Sequence, residues 1–293
     1  MLCFFKILTT RIAKMEKVFI CVDDNALFQP VCDYGIYVAK TIKAEPVFIH
    51  VIESPELGEN FYGLAAGGIV LGEKDMVLSQ YGTFDEDSNK IDEEKSKAML
   101  EKCVAMADEQ GVKASTILRD GDFLDIIEEY KNEAKIFVLG IKGTNNEDVG
   151  FNATMLIKEM KVPALLVNKE FSPINSVLVA FDGTEAAVKT VKFIKDAKLL
   201  KNAKKYVINV NNNAEESQKT LEVAREILKG ENAEFVSVSG DVPGDEIIKY
   251  RRANNLDLIA TGAFSKGFFK KLILGSVSQD ILQNALVPIL VLA

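Results

Sequence analysis

The feature that most constrains the fold is an internal repeat, because the same segments occur in both halves of the chain and in the same order. The repeated segments are apolar and partly β-branched, as buried strands are. Two related folding units in tandem explain such a repeat. The matching segments are KVFICVDD (17–24) with SVLVAFDG (176–183), KAEPVFIHVIE (43–53) with NAKKYVINVNN (202–212), GVKASTILRDGDFLDIIEEYKNEAKIFVLG (111–140) with NAEFVSVSGDVPGDEIIKYRRANNLDLIATG (232–262), and KVPALLVN (161–168) with LVPILVLA (286–293).

Helical patterns separate the repeated segments, at residues 31–43, 93–111, 186–200 and 217–230. A glycine closes the second pattern of each half, as at many helix C-termini. Strands that alternate with helices predict a parallel sheet built from right-handed βαβ units, covered on both faces. The predicted fold is therefore α/β, with two tandem doubly wound parallel five-stranded sheets.

Composition excludes several partner classes. The chain has 293 residues, of which 48% are hydrophobic and 27% charged, and its formal net charge is −8. That charge argues against nucleic acid or an anionic membrane as a general partner. Apolar runs stay below the ~18–20 residues that a membrane span requires, so we expect a cytoplasmic protein without membrane contact.

Cysteine and histidine give no sign of a metal site. The four cysteines form no CxxC pair and no metal-ligand spacing, so we interpret them as reduced thiols of a cytosolic protein. The single histidine, His50, ends an apolar run and is interpreted as a strand residue.

We expect the domain boundary near NKEFSPINS (168–176), where Pro and Ser interrupt the apolar pattern. The first domain then covers residues 15–169 and the second covers residues 174–293. The N-terminal segment is apolar but short, contains a lysine and has no small-residue cleavage site, so a signal peptide is not expected. Because Met15 stands just before the first strand, the hypothesis is that residues 1–14 form a disordered extension.

The halves differ chiefly after the second strand, where residues 53–90 have no counterpart in the second half. This insert is Gly-rich at its centre and acidic toward its end. One interpretation is a surface excursion with a short helix around residues 72–81. The other is a lid or a partner-binding arm, because long loops often carry function.

Three strand ends of the second half carry residues suited to a ligand. Ligands of doubly wound sheets bind outside the carboxyl ends of the strands, where the strand order reverses. Asp182 follows the first strand, Val210 ends the second and Gly262 ends the fourth. Asp182 can accept a hydrogen bond from an adenine amine or a ribose hydroxyl, and glycine at position 262 lets the backbone approach a ligand.

The loop after Gly262, TGAFSKGFFKKLILGSVSQD (261–280), has the order glycine, loop, Gly-Ser, helix. Gly275 and Ser276 open the predicted helix, whose free N–H groups and dipole favour an anion. Three lysines add positive charge to the loop of an acidic protein. Since neither GxxxxGK[ST] nor GxGxxG is present, an empty turn and a phosphate site fit these residues equally well.

The second half resembles the universal stress protein family over nearly all of its length, and the whole chain resembles a tandem member. Nucleotide-binding members carry Gly-x2-Gly-x9-Gly-Ser/Thr after the fourth strand. In this chain Ser265 stands in place of the second glycine. The matching features are Gly262, Ser265, Gly275-Ser276, the early Asp182, SGDVPGDEII (239–248) and the closing VPILVL (287–292).

The resemblance implies that the second domain binds ATP, with or without Mg²⁺. No ligand is expected in the first domain, because of its own loop residues. Asp182 would contact the adenosine and the Val210 backbone would hold the adenine edge. Ser265 would either donate to a phosphate or restrict the site. The implied nucleotide-binding residues are Ala180, Asp182, Val210, Thr261, Gly262, Ser265, Gly275, Ser276, Val277 and Ser278.

The matching loop of the first half, LGIKGTNNEDVGFNATML (139–156), aligns in two ways. Anchored on Gly140, the family spacing runs from Gly143 to Ala153-Thr154. This alignment keeps the loop length but places Ala153 opposite Gly275. Anchored on the final strand, Gly150 falls opposite Gly275. We prefer the second alignment, because it preserves the last helix and places the deletion in a loop.

In the preferred alignment the first-half loop is three residues shorter, and Phe151 stands where Ser276 stands. Glu147 and Asp148 repel a triphosphate, and phenylalanine donates no hydrogen bond. We therefore predict poor ATP binding by the first half, although Asp23 and Gly140 remain.

Three classes of function are compatible with these residues. The first is a stress-response sensor or regulator whose ATP occupancy changes its contacts with a protein partner. The second is a ligand-independent scaffold, and the third is a slow ATP hydrolase or autophosphorylating protein, since no catalytic residues are identified. Pairing of the two final strands, PALLV and PILVL, would cover both apolar edges. A homodimer with four domains is the expected assembly.

Overall fold

The computed structural model describes residues 16–52, 86–141, 152–153, 156–157, 162–262 and 285–292, and only the backbone of residues 86–92. Several predictions lie outside these residues. They concern the extension at 1–14, the insert up to residue 85, and the loop residues of both halves, including Gly143, Glu147, Asp148, Gly150, Phe151, Thr154, Ser265, Gly275, Ser276, Val277 and Ser278.

The part of the first half that the structure describes has five strands, with three helices between them and short helical pieces at 152–153 and 156–157. Its strands are β1 (Lys17–Cys21), β2 (Glu45–Ile52), β3 (Ser115–Asp120), β4 (Ala134–Gly140) and β5 (Ala164–Val167). Its helices are α1 (Phe28–Ile42), α2 (Glu86–Glu109) and α3 (Phe123–Tyr130).

The second half repeats this order. Its strands are β6 (Ser176–Ala180), β7 (Lys204–Val210), β8 (Ala233–Val238), β9 (Leu258–Gly262) and β10 (Ile289–Leu292). Its helices are α4 (Glu185–Asp196), α5 (Ala214–Ile227) and α6 (Pro243–Ala253), with a 3-10 turn at Lys198–Leu200. Among the helices of the described ranges, none has the length and apolar character to cross a membrane.

All ten strands join one sheet, in the order β3-β2-β1-β4-β5-β10-β9-β6-β7-β8. Neighbouring strands within each half are parallel. The halves meet through an antiparallel pairing of β5 with β10, in which Leu165 lies opposite Leu290. The two five-stranded doubly wound sheets and the pairing of their final strands are therefore confirmed. Each final strand covers an edge that would otherwise expose apolar side chains and free backbone groups.

Both faces of the sheet are covered, as the continuously apolar strands predict. In β6, Val177 and Val179 enter one apolar cluster, while Leu178 and Ala180 enter the cluster on the opposite face. These residues are at most 5% exposed. The alternation follows from the two-residue period of a strand.

A glycine follows the second helix of each half within three residues. Gly111 has φ +74° and Gly230 has φ +87°, in the left-handed region that side chains with a Cβ rarely adopt. The glycine predicted at the end of α2 is therefore confirmed, whereas α5 ends at Ile227 and Gly230 lies in the turn that follows it. Asn213 begins α5 by accepting hydrogen bonds from the amides of Glu215 and Glu216, as an N-cap residue does.

All four predicted helices differ from their predicted bounds, and two of them differ most. The helix predicted at 186–200 ends at Asp196, Ala197 is extended, and a 3-10 turn follows. This break allows the neighbours Leu199 and Leu200 to be buried together, where the turn contacts α1. The helix predicted at 93–111 begins earlier, at Glu86, because acidic residues at a helix start are favoured by the helix dipole.

Two tyrosines of α1 hold the segment that connects the halves. The Tyr34 hydroxyl accepts from the Ser172 amide at 3.2 Å, and the Tyr37 hydroxyl accepts from the Ile174 amide at 3.4 Å. Phe171 packs against both rings, with centroid distances of 5.0 and 5.3 Å. The connecting segment is therefore fixed to the first half.

Candidate functional site

The strand order of the second half reverses beside β6, which has β9 on one side and β7 on the other. All three strands are parallel and in register, so their carboxyl ends reach the same edge of the sheet. Asp182 lies two residues after the end of β6, Val210 ends β7 and Gly262 ends β9. The structure thus brings these three predicted residues together at a topological switch point, where doubly wound folds bind ligands.

Ala180 and Thr261 lie just beneath that edge. Ala180 is 5% exposed and Thr261 is fully buried. The Thr261 hydroxyl contacts the carbonyl oxygen of Gly262 at 3.3 Å. Both side chains therefore pack beneath the edge of the sheet. A ligand bound at that edge would contact their backbone atoms and not their side chains.

The Asp182 carboxylate is oriented by the start of α4. Its Oδ1 accepts from the Thr184 amide at 3.0 Å and from the Thr184 hydroxyl at 2.6 Å. The same hydroxyl accepts from the Ala187 amide at 3.3 Å and so caps the helix. Because one threonine joins the carboxylate to the helix N-terminus, the position of Asp182 follows that of α4.

Two glycines allow close packing around Asp182. A Cβ on Gly262 would lie 3.0 Å from the Cβ of Ala186, 3.1 Å from its carbonyl carbon and 3.2 Å from its carbonyl oxygen. Gly183 has φ +78°, and a Cβ there would lie 3.0 Å from Thr220 Cγ2. The physical requirement for Gly262 is therefore the close approach of α4 to β9. From the sequence, that glycine is assigned to ligand approach or to a turn, and not to helix packing.

Asn209 is a part of the edge that sequence reasoning missed. Its Nδ2 donates to the carbonyl oxygen of Phe181 at 2.7 Å, and the residue is 5% exposed. Its Oδ1 is buried and has no hydrogen-bond partner among the residues that the structure describes. The available signal was the repeat itself, which aligns Asn209 with His50, so that a polar residue occupies the same place in two apolar strands.

A polar network continues the edge beyond β7 and β8. Asn212 donates through Nδ2 to Asp241 at 2.7 Å and accepts through Oδ1 from the Ser239 hydroxyl at 2.6 Å. Asp241, in the SGDVPGDEII stretch, is thus held by an amide. In the described ranges, His, Cys, Asp and Glu side chains form no group of three or more that could hold a metal ion.

The first half has a related edge with different chemistry. Asp23 follows β1, and its Oδ1 accepts from the adjacent Asp24 amide at 2.9 Å. Asn25, in the place of Thr184, accepts from the Leu27 amide at 2.8 Å, and α1 begins without a side-chain cap. A second carboxylate, Asp24, replaces Gly183. Beside Asp23 this edge therefore carries a carboxylate that the second half lacks beside Asp182.

The fold and this edge define a class of protein: a tandem doubly wound α/β protein with one switch point in each half. Comparison with known proteins shows what the second half is similar to. Residues 173–293 match the model of the universal stress protein family. The second half of the chain, from residue 173 onward, is therefore similar to universal stress proteins.

Three proteins are similar to the chain over nearly its whole length. A universal stress protein of Synechocystis is 23% identical over 287 residues, which cover 94% of this chain and 99% of the relative. A crystal structure of a universal stress protein from Archaeoglobus fulgidus is similar with a TM-score of 0.69 at 20% identity, over 94% of this chain and 96% of that one. A putative universal stress protein from Pseudomonas aeruginosa has a TM-score of 0.61 at 12% identity, over 95% and 93%.

Proposed function

We propose that the edge formed by β6, β7 and β9 binds an adenine nucleotide, with ATP as the ligand. The observation that carries the proposal is the convergence of Asp182, Val210 and Gly262 at the switch point beside β6. A crevice at such a point is where open α/β sheets bind their ligands. The family resemblance of the second half supports the nucleotide class.

Asp182 is the proposed contact for the ribose or the adenine amine. A carboxylate accepts about four hydrogen bonds, so a ligand donor can join those from Thr184. The double contact with Thr184 orients the carboxylate before the ligand arrives. Preorganisation of this kind reduces the ordering cost of binding.

The remaining proposed contacts follow the order of the chain. The Val210 backbone would hold the adenine edge, and the loop from Gly262 to Ser278 would hold the phosphates. Ser265, Gly275 and Ser276 keep the role that the resemblance implies for them. The first half is proposed to bind ATP poorly, because Asp24 adds charge where the second half has Gly183.

Nucleotide occupancy is proposed to change the contacts of the protein with a partner, which makes the chain a sensor or regulator. α4 is the element that would report occupancy, because Thr184 joins it to Asp182 and Gly262 packs against it. A ligand that binds one conformation of α4 more tightly than another increases the population of that conformation.

The test is isothermal titration of the full chain with ATP, with and without Mg²⁺, after any co-purified nucleotide has been identified by mass spectrometry. Asp182→Ala should weaken binding roughly ten- to a hundredfold, the value of one hydrogen bond to a charged group. Asp23→Ala is the matched control and should leave the affinity unchanged.

Each alternative function has its own result in the same series. No binding of ATP to a folded protein would favour the ligand-independent scaffold. Turnover of ATP that disappears in Gly275→Val, with the circular dichroism spectrum unchanged, would favour slow hydrolysis or autophosphorylation. Equal losses in Asp182→Ala and Asp23→Ala would contradict the assignment of the site to the second half.

A further inference from the structure

A pair of buried thiols joins two helices of the first half. Cys32 lies on α1 and Cys103 lies on α2, and their Sγ atoms are 3.7 Å apart. Both residues are fully buried. A disulfide has an S–S length of about 2.05 Å, so the sulfur atoms need to approach by roughly 1.7 Å to form one.

Packing alone does not require sulfur at this position. The offset that aligns β1 with β6 places Cys32 opposite Val191. Buried residues are spaced in the same way along α2 and α5, at Leu100, Cys103 and Ala107 and at Leu221, Ala224 and Leu228. This spacing places Cys103 opposite Ala224. All four aligned residues are fully buried. The second half therefore fills the corresponding helix contact with valine and alanine.

We propose that Cys32 and Cys103 form a reversible oxidation site, which hydrogen peroxide converts to an intramolecular disulfide between α1 and α2. One thiolate attacks the peroxide oxygen, the O–O bond breaks, and a sulfenic acid and one water form. The second thiol attacks the sulfenic sulfur, the S–S bond forms, and a second water leaves. Both sulfur atoms are oxidised by one equivalent of peroxide.

The environment of the pair makes this reaction slow in the resting protein. The neighbouring Cys103 thiol and burial both raise the pKa of Cys32. The thiolate is the reactive species, so oxidation accelerates as the pH rises, roughly tenfold per pH unit while the thiol remains mostly protonated. The site therefore responds to sustained oxidant and stays reduced otherwise.

The disulfide would restrain the first half strongly. The two cysteines are 71 residues apart in the chain, and a cross-link over a long loop removes much of the entropy of the unfolded state. It would also fix α2 to the helix whose Tyr34 and Tyr37 hold the segment that connects the halves. We expect a higher melting temperature for the oxidised chain than for the reduced chain.

The experiment treats the reduced full-length protein with hydrogen peroxide, blocks free thiols and maps peptides by mass spectrometry without reductant. The expected result is a cross-linked Cys32–Cys103 peptide, a fall of the thiol count from four to two, and full reversal by dithiothreitol. Cys32→Val and Cys103→Ala, which copy the second half, should fold and form no cross-link. Cys21→Ala, which copies Ala180, should keep it.

Several results would overturn the proposal. One is oxidation of either residue to sulfinic acid without the cross-link in folded protein. Another is a cross-link that appears only in urea-unfolded protein, and a third is one that joins Cys3 or Cys21 instead. A formation rate that does not change with pH would exclude the thiolate mechanism.

Discussion

The side-chain amide of Asn209 donates a 2.7 Å hydrogen bond to the carbonyl oxygen of Phe181, which ties the end of β7 to the residue before Asp182. The first half repeats this bridge with a different side chain. There the Nδ1 of His50 lies 2.9 Å from the carbonyl oxygen of Val22. Because a carbonyl oxygen only accepts, Nδ1 carries the proton. The bridge is therefore a structural part of both switch points.

Loss of the Asn209 bridge should destabilise the protein. Asn209→Val leaves the Phe181 carbonyl without its side-chain donor in a buried place, which costs about 1–3 kcal/mol of unfolding free energy. The unpartnered Oδ1 of Asn209 is removed at the same time, and this shifts the expected loss to the lower end of that range. Urea denaturation measures the difference.

The first half supplies the matched controls. His50→Asn keeps a donor for the Val22 carbonyl and should change stability little, whereas His50→Val should lower it. If Asn209→Val and His50→Val both leave the unfolding free energy unchanged, the bridges do not stabilise the edge.

Thr184 should affect both stability and nucleotide affinity. Thr184→Ala removes the helix cap and the hydroxyl that contacts Asp182, and loss of a cap costs about 0.5–2 kcal/mol. ATP affinity should fall as well, because the carboxylate loses its fixed orientation. Thr184→Ser retains the hydroxyl and should keep most of both properties. If Thr184→Ala bound ATP as tightly as wild type does, Thr184 would cap α4 without contributing to nucleotide binding.

Gly262→Ala tests the close approach of α4 to β9. The added Cβ would meet the backbone of Ala186 within 3.2 Å, and overpacking of this kind costs about 1–3 kcal/mol. At Gly240 the nearest atom to an added Cβ is Cγ of Glu246, a side chain that can rotate away. Gly240→Ala is therefore the control and should cost less when both variants are compared by thermal unfolding. The reverse order would show that α4 moves freely.

The sheet could be predicted from the chain because its signals are repeated and strong. Apolar strands occur twice in the same order, and PALLV and PILVL each need a partner for an apolar edge. The antiparallel contact of Leu165 with Leu290 follows from that need. Asp182, Val210 and Gly262 could be placed together because each ends a parallel strand.

Other features depend on packing that local patterns do not encode. The break at Ala197 follows from the burial of Leu199 and Leu200 between the halves, while their spacing alone fits a continuous helix. Gly262 serves the approach of Ala186, a contact distant in the chain. Asn209 stands within an apolar run, and its bond to Phe181 depends on the neighbouring strand.

Above about pH 9, the buried Cys32 thiol should make the reduced protein less stable as the pH rises. Hydrogen bonding with Cys103 and burial both raise the pKa of Cys32 above its usual value of 9.0. As the pH rises, the unfolded chain loses the thiol proton of Cys32 before the folded chain does. The unfolding free energy of the protein therefore falls by up to about 1.4 kcal/mol per pH unit. Urea denaturation with reductant, for wild type and Cys32→Val, measures the effect. As the pH rises, the unfolding free energy of wild type should fall relative to that of the variant, because the other titrating groups contribute equally to both. A difference that stays constant with pH would contradict the prediction.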